Sequence, residues 1–415
     1  QDVDPSGDYV LYWMVAHRRI HWNFSLQRAL DWSRELRKPV LIVEPLSCDY
    51  PWASDRFHRF ILEGMIDNDR LCRKKGIEYR AYLEPSRGAG DGLIDALASR
   101  AAVVVTDDYP AFFLARMLRR VTGRLPKKCE LIDSNGLLPM GVTEKCFVRA
   151  YDFRRFLQKN LRPHLSDLPD ADPLPPSEIT GSVTLDDSVS KRWPELTRPL
   201  SEISLKHFPI DHSVQPVTIR GGPQAAEECL KRFLDHRLNA YASMRNLPEE
   251  DGSSGLSPYL HFGHISSHLI FDRLMQRASW SMEKLGDSTT GARNGWWGVD
   301  ENTEALLDQL ITWRELGFNM CFHRDDYERY SSLPDWSKKT LQQHADDPRA
   351  YLYDQDSFDA AETHDPLWNA AQRQLAQSGE VHNYLRMLWG KKILEWSASP
   401  QDALKTMIHL NNKYA

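Results

Sequence analysis

An α/β doubly wound parallel-sheet domain followed by an all-helical domain is the fold class this sequence predicts. Three observations lead there. Short apolar runs alternate with amphipathic stretches over the first third, a proline-rich break follows, and helical periodicity covers nearly everything after Ala225. At 415 residues the chain is long enough for two domains with separate cores. The predicted strands are Val10–Val15, Val40–Val43, Glu78–Leu83, Val103–Thr106 and Glu130–Ile132. Between them lie predicted helices at Asn23–Leu36, Arg56–Lys75, Asp91–Ser99 and Ala111–Thr122. Apolar strands separated by helices imply parallel pairing, because a parallel partner needs a crossover. Sheets of this kind take ligands at the carboxyl ends of their strands. Asp107-Asp108-Tyr109 follows one such end, where a polar loop is the expectation and a ligand contact the alternative.

The sequence divides into an α/β domain over 1–160, a connector over 161–217 and a helical domain over 218–415. Within the connector, Leu168–Pro176 has no period, and its prolines stop helices and strands alike. The second domain is predicted to hold helices at Glu227–Met244, Ile265–Arg277, Glu304–Phe322, His364–Gln377 and Val381–Trp396. A polar loop, Asp287–Asn302, carries Trp296-Trp297 between glycines, which reads as an exposed pair serving as a plug or a substrate lip.

Bulk properties narrow the function. A net charge of −6 argues against a protein that coats nucleic acid generally, while leaving room for a local basic face. The six cysteines have no C-x-x-C spacing, so reduced thiols in a cytoplasmic protein are expected, with neither a disulfide frame nor a metal site. No apolar run reaches membrane-spanning length, and residues 1–8 are too polar for a signal peptide. A monomer without membrane association is expected.

The densest chemistry lies in Gly252–Ser266, a run of small and hydroxyl residues leading into a helical pattern. Small residues let backbone approach a ligand, and serine hydroxyls with free amides at a helix start suit an anion. Ser257-Pro258 equally suits a helix cap followed by a first-turn proline. Downstream, Trp389 and Trp396 stand seven residues apart on one predicted helix, which returns them to nearly one face about 10.5 Å along the axis. That spacing fits core packing as well as an ordered indole array.

With Tyr241, Arg245, Trp313-Arg314-Glu315 and Tyr384–Met387, this segment resembles the flavin pocket of the photolyase/cryptochrome family. Thr363–Ala370 and Arg386–Leu404 resemble its class II branch, the cyclobutane pyrimidine dimer photolyases. The resemblance implies FAD held by Tyr241, Ser253, Ser254, Gly255, Leu256, Ser257 and Arg386, with Asn411 against flavin N5. It implies damaged DNA as partner, met by Arg245, Gln309, Trp313, Asn383 and Met387. Trp368, Trp389 and Trp396 match a relay that carries an electron from the surface to the photoexcited flavin. A deazaflavin or other antenna chromophore in the first domain belongs to the same expectation. Gln309 stands where repair members generally carry glutamate, and an amide donates and accepts but supplies no negative charge. Asn411 lies just before the point where the family continues into an aspartate- and glycine-rich loop, so the terminal segment is expected to be lacking. The function implied is light-driven repair of pyrimidine dimers. The alternatives are a cryptochrome-like photoreceptor without repair and a flavin-less member using the cavity for a dark reaction.

Overall fold

The computed structural model describes residues 2–174, 183–197, 199 and 202–415. Five parallel strands form one sheet in the order β3-β2-β1-β4-β5: β1 Tyr9–Trp13, β2 Val40–Leu46, β3 Glu78–Leu83, β4 Ala101–Asp107 and β5 Cys129–Ile132. Helices α1 (Phe24–Leu36), α2 (Asp55–Lys75), α3 (Leu93–Arg100) and α4 (Phe112–Thr122) make the crossovers. Alternation along each strand sorts them onto two faces. Val10, Tyr12, Val40, Ile42, Val103 and Val105 pack with Leu26 and Leu30 of α1 and Ile61, Leu62 and Met65 of α2. Tyr9, Leu11, Trp13, Leu41, Val43 and Val104 pack with Leu93 and Leu97 of α3 and Leu118 of α4. The sheet is therefore doubly wound, as expected.

Strand order reverses between β1 and β4, the switch point where sheets of this type leave a crevice. Asp107 sits there, and it corrects the polar-loop expectation. It is the last residue of β4, fully buried. One carboxylate oxygen accepts amide N–H bonds from Val15, Ala16 and His17 at 2.7–2.9 Å, and the other accepts from the Tyr12 hydroxyl. Burial opposes its charge, yet His17 and the three amides hold the carboxyl below its ordinary range.

Beyond α5 (Ala150–Asn160) the chain packs before it reaches the second half. Leu174 is buried in the core of the sheet, and Lys75 Nζ donates to its carbonyl at 3.3 Å. Pro175 and Pro176 of the expected connector lie outside the described residues. After α6 (Asp187–Arg192), nearly all regular structure is helical: α7 Pro223–His236, α8 Tyr241–Met244, α9 Ser257–His261, α10 Ser267–Arg277, α11 Glu301–Leu307 and α12 Arg314–His323. Then come α13 Asp335–Gln343, α14 Gln355–Asp359, α15 Pro366–Ser378, α16 Asn383–Trp396 and α17 Pro400–Tyr414.

Two predicted helices are interrupted and the helix at Ser257 is short, each for a local reason. Glu227–Met244 breaks after His236 because the Asn302 side chain takes over backbone partners, donating to Asn239 O and accepting from Ala242 N at 2.9 Å each. The helix through Ser257 stops at Phe262, where Gly263 turns at φ +71°; a Cβ there would lie 1.8 Å from Ala16 O in the sheet half. A new helix then starts on Ser266, whose Oγ accepts from His268 N at 3.0 Å. Glu304–Phe322 carries a π-helical segment, Asp308–Trp313, between α11 and α12.

The two halves meet over a broad front. Arg19 Nη1 donates to Gly263 O at 3.0 Å. Arg56, a buried α2 residue, donates to four main-chain carbonyls, those of Gln215, Ala376, Gln377 and Tyr414. Glu315 of α12 accepts the amides of Leu137 and Leu138 at 2.7 and 3.2 Å, and a Cβ on Gly136 would lie 2.5 Å from its carboxyl carbon.

Candidate functional site

A cavity of about 1250 Å³ runs from the helical half into the crevice beside the sheet. Its helical wall starts with α8. The Tyr241 ring is buried, with the Arg245 guanidinium 5.7 Å from its centroid. Burial raises the phenol above its usual range, against the pull of Arg245. The serine run Ser253–Ser257 follows and lines the same wall with its intervening Gly255 and Leu256. Gly255 turns at φ +68°, so this stretch of backbone takes a path that side-chain-bearing residues rarely follow. Ser257 is not the helix cap expected of it. Ser257 already belongs to α9, Leu256 precedes it, and the Leu256 amide is taken by Ser254 Oγ at 3.3 Å. Hydroxyl groups of the run, more than open amides of a long helix, are what the cavity presents.

Opposite stands α16. His382 caps it: one ring nitrogen accepts from Tyr384 N at 3.2 Å, which leaves the other to donate to Arg245 O at 3.1 Å. That bond ties the start of α16 to the Tyr241–Arg245 segment. Asn383 and Arg386, three residues apart, share the cavity side of the helix. Met387 does not. It is 56% exposed and absent from the lining, because one residue past Arg386 turns the helix about 100° away. Arg386 Nη1 donates to Asn411 Oδ1 of α17, so these two expected cofactor residues already meet. Burial lowers the Arg386 pKa and raises that of Glu380 nearby.

The third wall is the π segment. Gln309 and Trp313 both line the cavity. Trp313 is 52% exposed, and its Nε1 donates to Asp308 Oδ2 at 3.2 Å. Sequence reasoning had no means to foresee Asp308 in this position, since only π geometry brings residues five apart together. Arg314, His261 and Tyr109 also border the cavity, toward the sheet; His261 lay inside a noted motif without being singled out.

Behind α16 the three tryptophans are contiguous. Trp368 of α15 stacks on Trp389 with ring centroids 6.4 Å apart and planes 3° apart, and meets Trp396 edge-on at 6.2 Å. Trp368 thus sits between the two α16 indoles. Its Nε1 donates to Trp389 O at 3.1 Å, and Trp389 Nε1 donates to Gln372 Oε1 at 2.9 Å. All three are buried, at 3%, 4% and 3% exposure, so none reaches the surface itself; Tyr353 and His364 cover Trp396. Trp389 lies three residues, about one helical turn, beyond the cavity residue Arg386.

The expected exposed indole pair is not part of any lip. Trp296 and Trp297 are buried against Phe271 and Trp280, and the Glu304 carboxylate holds the amides of Gly295 and Trp297 at 2.6 and 3.1 Å. No helix among the described residues is long and apolar enough to cross a membrane.

No profile of a known protein family matches the chain. Individual relatives do. A deoxyribodipyrimidine photo-lyase of Methanothermobacter thermautotrophicus is 31% identical over 415 residues, covering 100% of this chain and 84% of that protein. One from Oryza sativa is 30% identical over 426 residues, covering 99% and 77%. Among solved structures, a class III photolyase from Agrobacterium tumefaciens superposes with a TM-score of 0.64 at 18% identity, covering 99% of this chain and 81% of its own. A Synechocystis cryptochrome gives 0.58 at 16% identity, covering 98% and 82%. These two share the fold. The full-length likeness to the archaeal and plant enzymes goes further, and the chain belongs to the photolyase/cryptochrome family.

Proposed function

We propose that this chain is a class II-like photolyase, repairing cyclobutane pyrimidine dimers in DNA with light and FAD. The observation that carries the reading is one juxtaposition. A cavity bounded by Ser253–Ser257, Arg386 and Asn411 lies a helical turn from a contiguous stack of three indoles.

The residues present fit FAD. The cavity exceeds the roughly 300–1000 Å³ of ordinary small-ligand pockets. Its serine run suits a diphosphate, while Tyr241, Arg386 and Asn411 suit the ring system. When bound, FAD would supply absorption of visible light and a one-electron donor. Trp368, Trp389 and Trp396 would pass an electron by steps between touching rings. At the mouth, Trp313 offers a flat face on which a flipped pyrimidine pair can stack, with Gln309, Asn383 and Arg245 as hydrogen-bonding neighbours. An electron entering the dimer opens its cyclobutane ring and then leaves, so the repair is redox-neutral. Phosphate contacts would make DNA binding fall with salt. An antenna such as a deazaflavin would belong to the part of the cavity beside the sheet.

Gln309 motivates a second reading, a cryptochrome-like photoreceptor, because a neutral amide lines the cavity where a charge would steady the lesion. The test is illumination of the FAD-loaded protein with a duplex carrying one cyclobutane thymine dimer. Loss of dimers is expected. Photoreduction of the cofactor with every dimer intact would reject repair and favour the photoreceptor.

A further inference from the structure

Trp313 is half exposed, and an indole so open turns freely unless something holds its edge. The π segment supplies the hold. In an α-helix, residues five apart point about 140° away from one another; i→i+5 bonding brings them onto one side. Asp308 and Trp313 are the first and last residues of that segment, and the indole N–H donates to Asp308 Oδ2 at 3.2 Å. Asp308 is buried and is not part of the cavity lining. Its Oδ1 accepts from Arg154 Nε of α5 at 2.9 Å and forms an ion pair with Arg154 Nη2 at 2.8 Å, and Arg293 Nε lies 3.6 Å from Oδ2. Arg154 is fixed in turn by Gly291 O at 3.2 Å. The carboxylate is thus held by charges from α5 and from the 287–302 loop while its Oδ2 accepts the indole N–H.

We infer that Asp308 is a positioning residue for lesion recognition: it fixes the plane of Trp313 at the cavity mouth without touching DNA. This rests on the proposed function, in which Trp313 faces the flipped dimer. Holding the ring in advance removes the loss of rotational freedom that stacking would otherwise bring.

The test compares affinities of the flavin-loaded protein for a duplex with a single cyclobutane thymine dimer and for the same duplex undamaged. Asp308→Asn weakens the acceptor, and Trp313→Phe removes the donor while keeping a flat ring. Each is expected to lower the damaged-to-undamaged affinity ratio about tenfold. The double variant should lose no more than the worse single one, because both break one contact. In Asp308→Asn, flavin content and affinity for undamaged duplex should stay unchanged. A merely structural Asp308 would lower both affinities together, which overturns the inference. A wild-type ratio in Asp308→Asn, alongside a collapsed ratio in Trp313→Ala, also overturns it but leaves the function standing. A wild-type ratio in Trp313→Ala defeats the reading beneath both. Should Asp308→Asn fail to fold, Trp313→Phe decides alone, since it leaves Asp308 with its arginines; an unchanged ratio there sinks the inference.

Discussion

The indole stack on α15 and α16 and the lone indole on the π segment use one side chain in opposite ways. Trp368, Trp389 and Trp396 are sealed, and the N–H groups of the first two meet fixed acceptors. Trp313 keeps its face open and is secured only at one edge. Sealed rings stabilise the fold and hold constant spacing. An open ring contributes little to stability and is free for a partner. The difference shows that the number of tryptophans says less than what closes over each of them.

The contrast can be broken first where it should be strongest. Trp389→Ala removes a buried indole and strands the Gln372 acceptor, so a loss of about 3–5 kcal/mol is expected in urea unfolding. A loss below about 1 kcal/mol would mean the stack is loosely packed. Next comes Arg56→Met, which leaves four carbonyls without their cationic donor; about 2–3 kcal/mol is expected, read as earlier thermal unfolding of the junction between halves.

Glu315 offers an intermediate effect with a definite sign. Burial pushes its carboxyl up to about 8 despite the two amides it accepts. The folded state therefore keeps a proton that the unfolded chain releases near the ordinary glutamate value, and stability falls as pH rises between those two points. From pH 6 to pH 7 the fall is up to about 1.4 kcal/mol, flattening above pH 8. Glu315→Gln should lack this slope, and parallel curves for the two proteins would refute it. The smallest effect is expected from Trp313→Ala, about 1 kcal/mol in stability, since half of the ring is already in water and one hydrogen bond to Asp308 is lost. A large destabilisation there would erase the distinction between sealed and open rings.

How much of this was legible in the chain varies with the range of the interactions. The five strands were readable because a sheet covered on both faces writes continuous apolar runs. Where β4 ends was not, since a charged Asp107 resembles the start of a loop until the amides of Val15–His17 are known to close on it. The serine run, Gln309, Arg386 and Asn411 were found by local resemblance, and they line one cavity. Met387 lies one step of helical rotation off the cavity, exposed to solvent. Trp296 and Trp297 were read as exposed from flanking glycines, while their burial depends on Glu304 and Phe271, contacts that periodicity does not encode. Asp308 stayed hidden because a π turn leaves no signature in spacing.

Arg56 grips the carbonyls of Gln215, Ala376, Gln377 and Tyr414 and touches none of their side chains for hydrogen bonding. Every amino acid carries the same carbonyl, so the clasp is indifferent to which residues occupy those places. The clasp itself therefore sets no requirement on the side chains at those four positions, and it keeps the halves joined as long as the main-chain path and the one arginine survive.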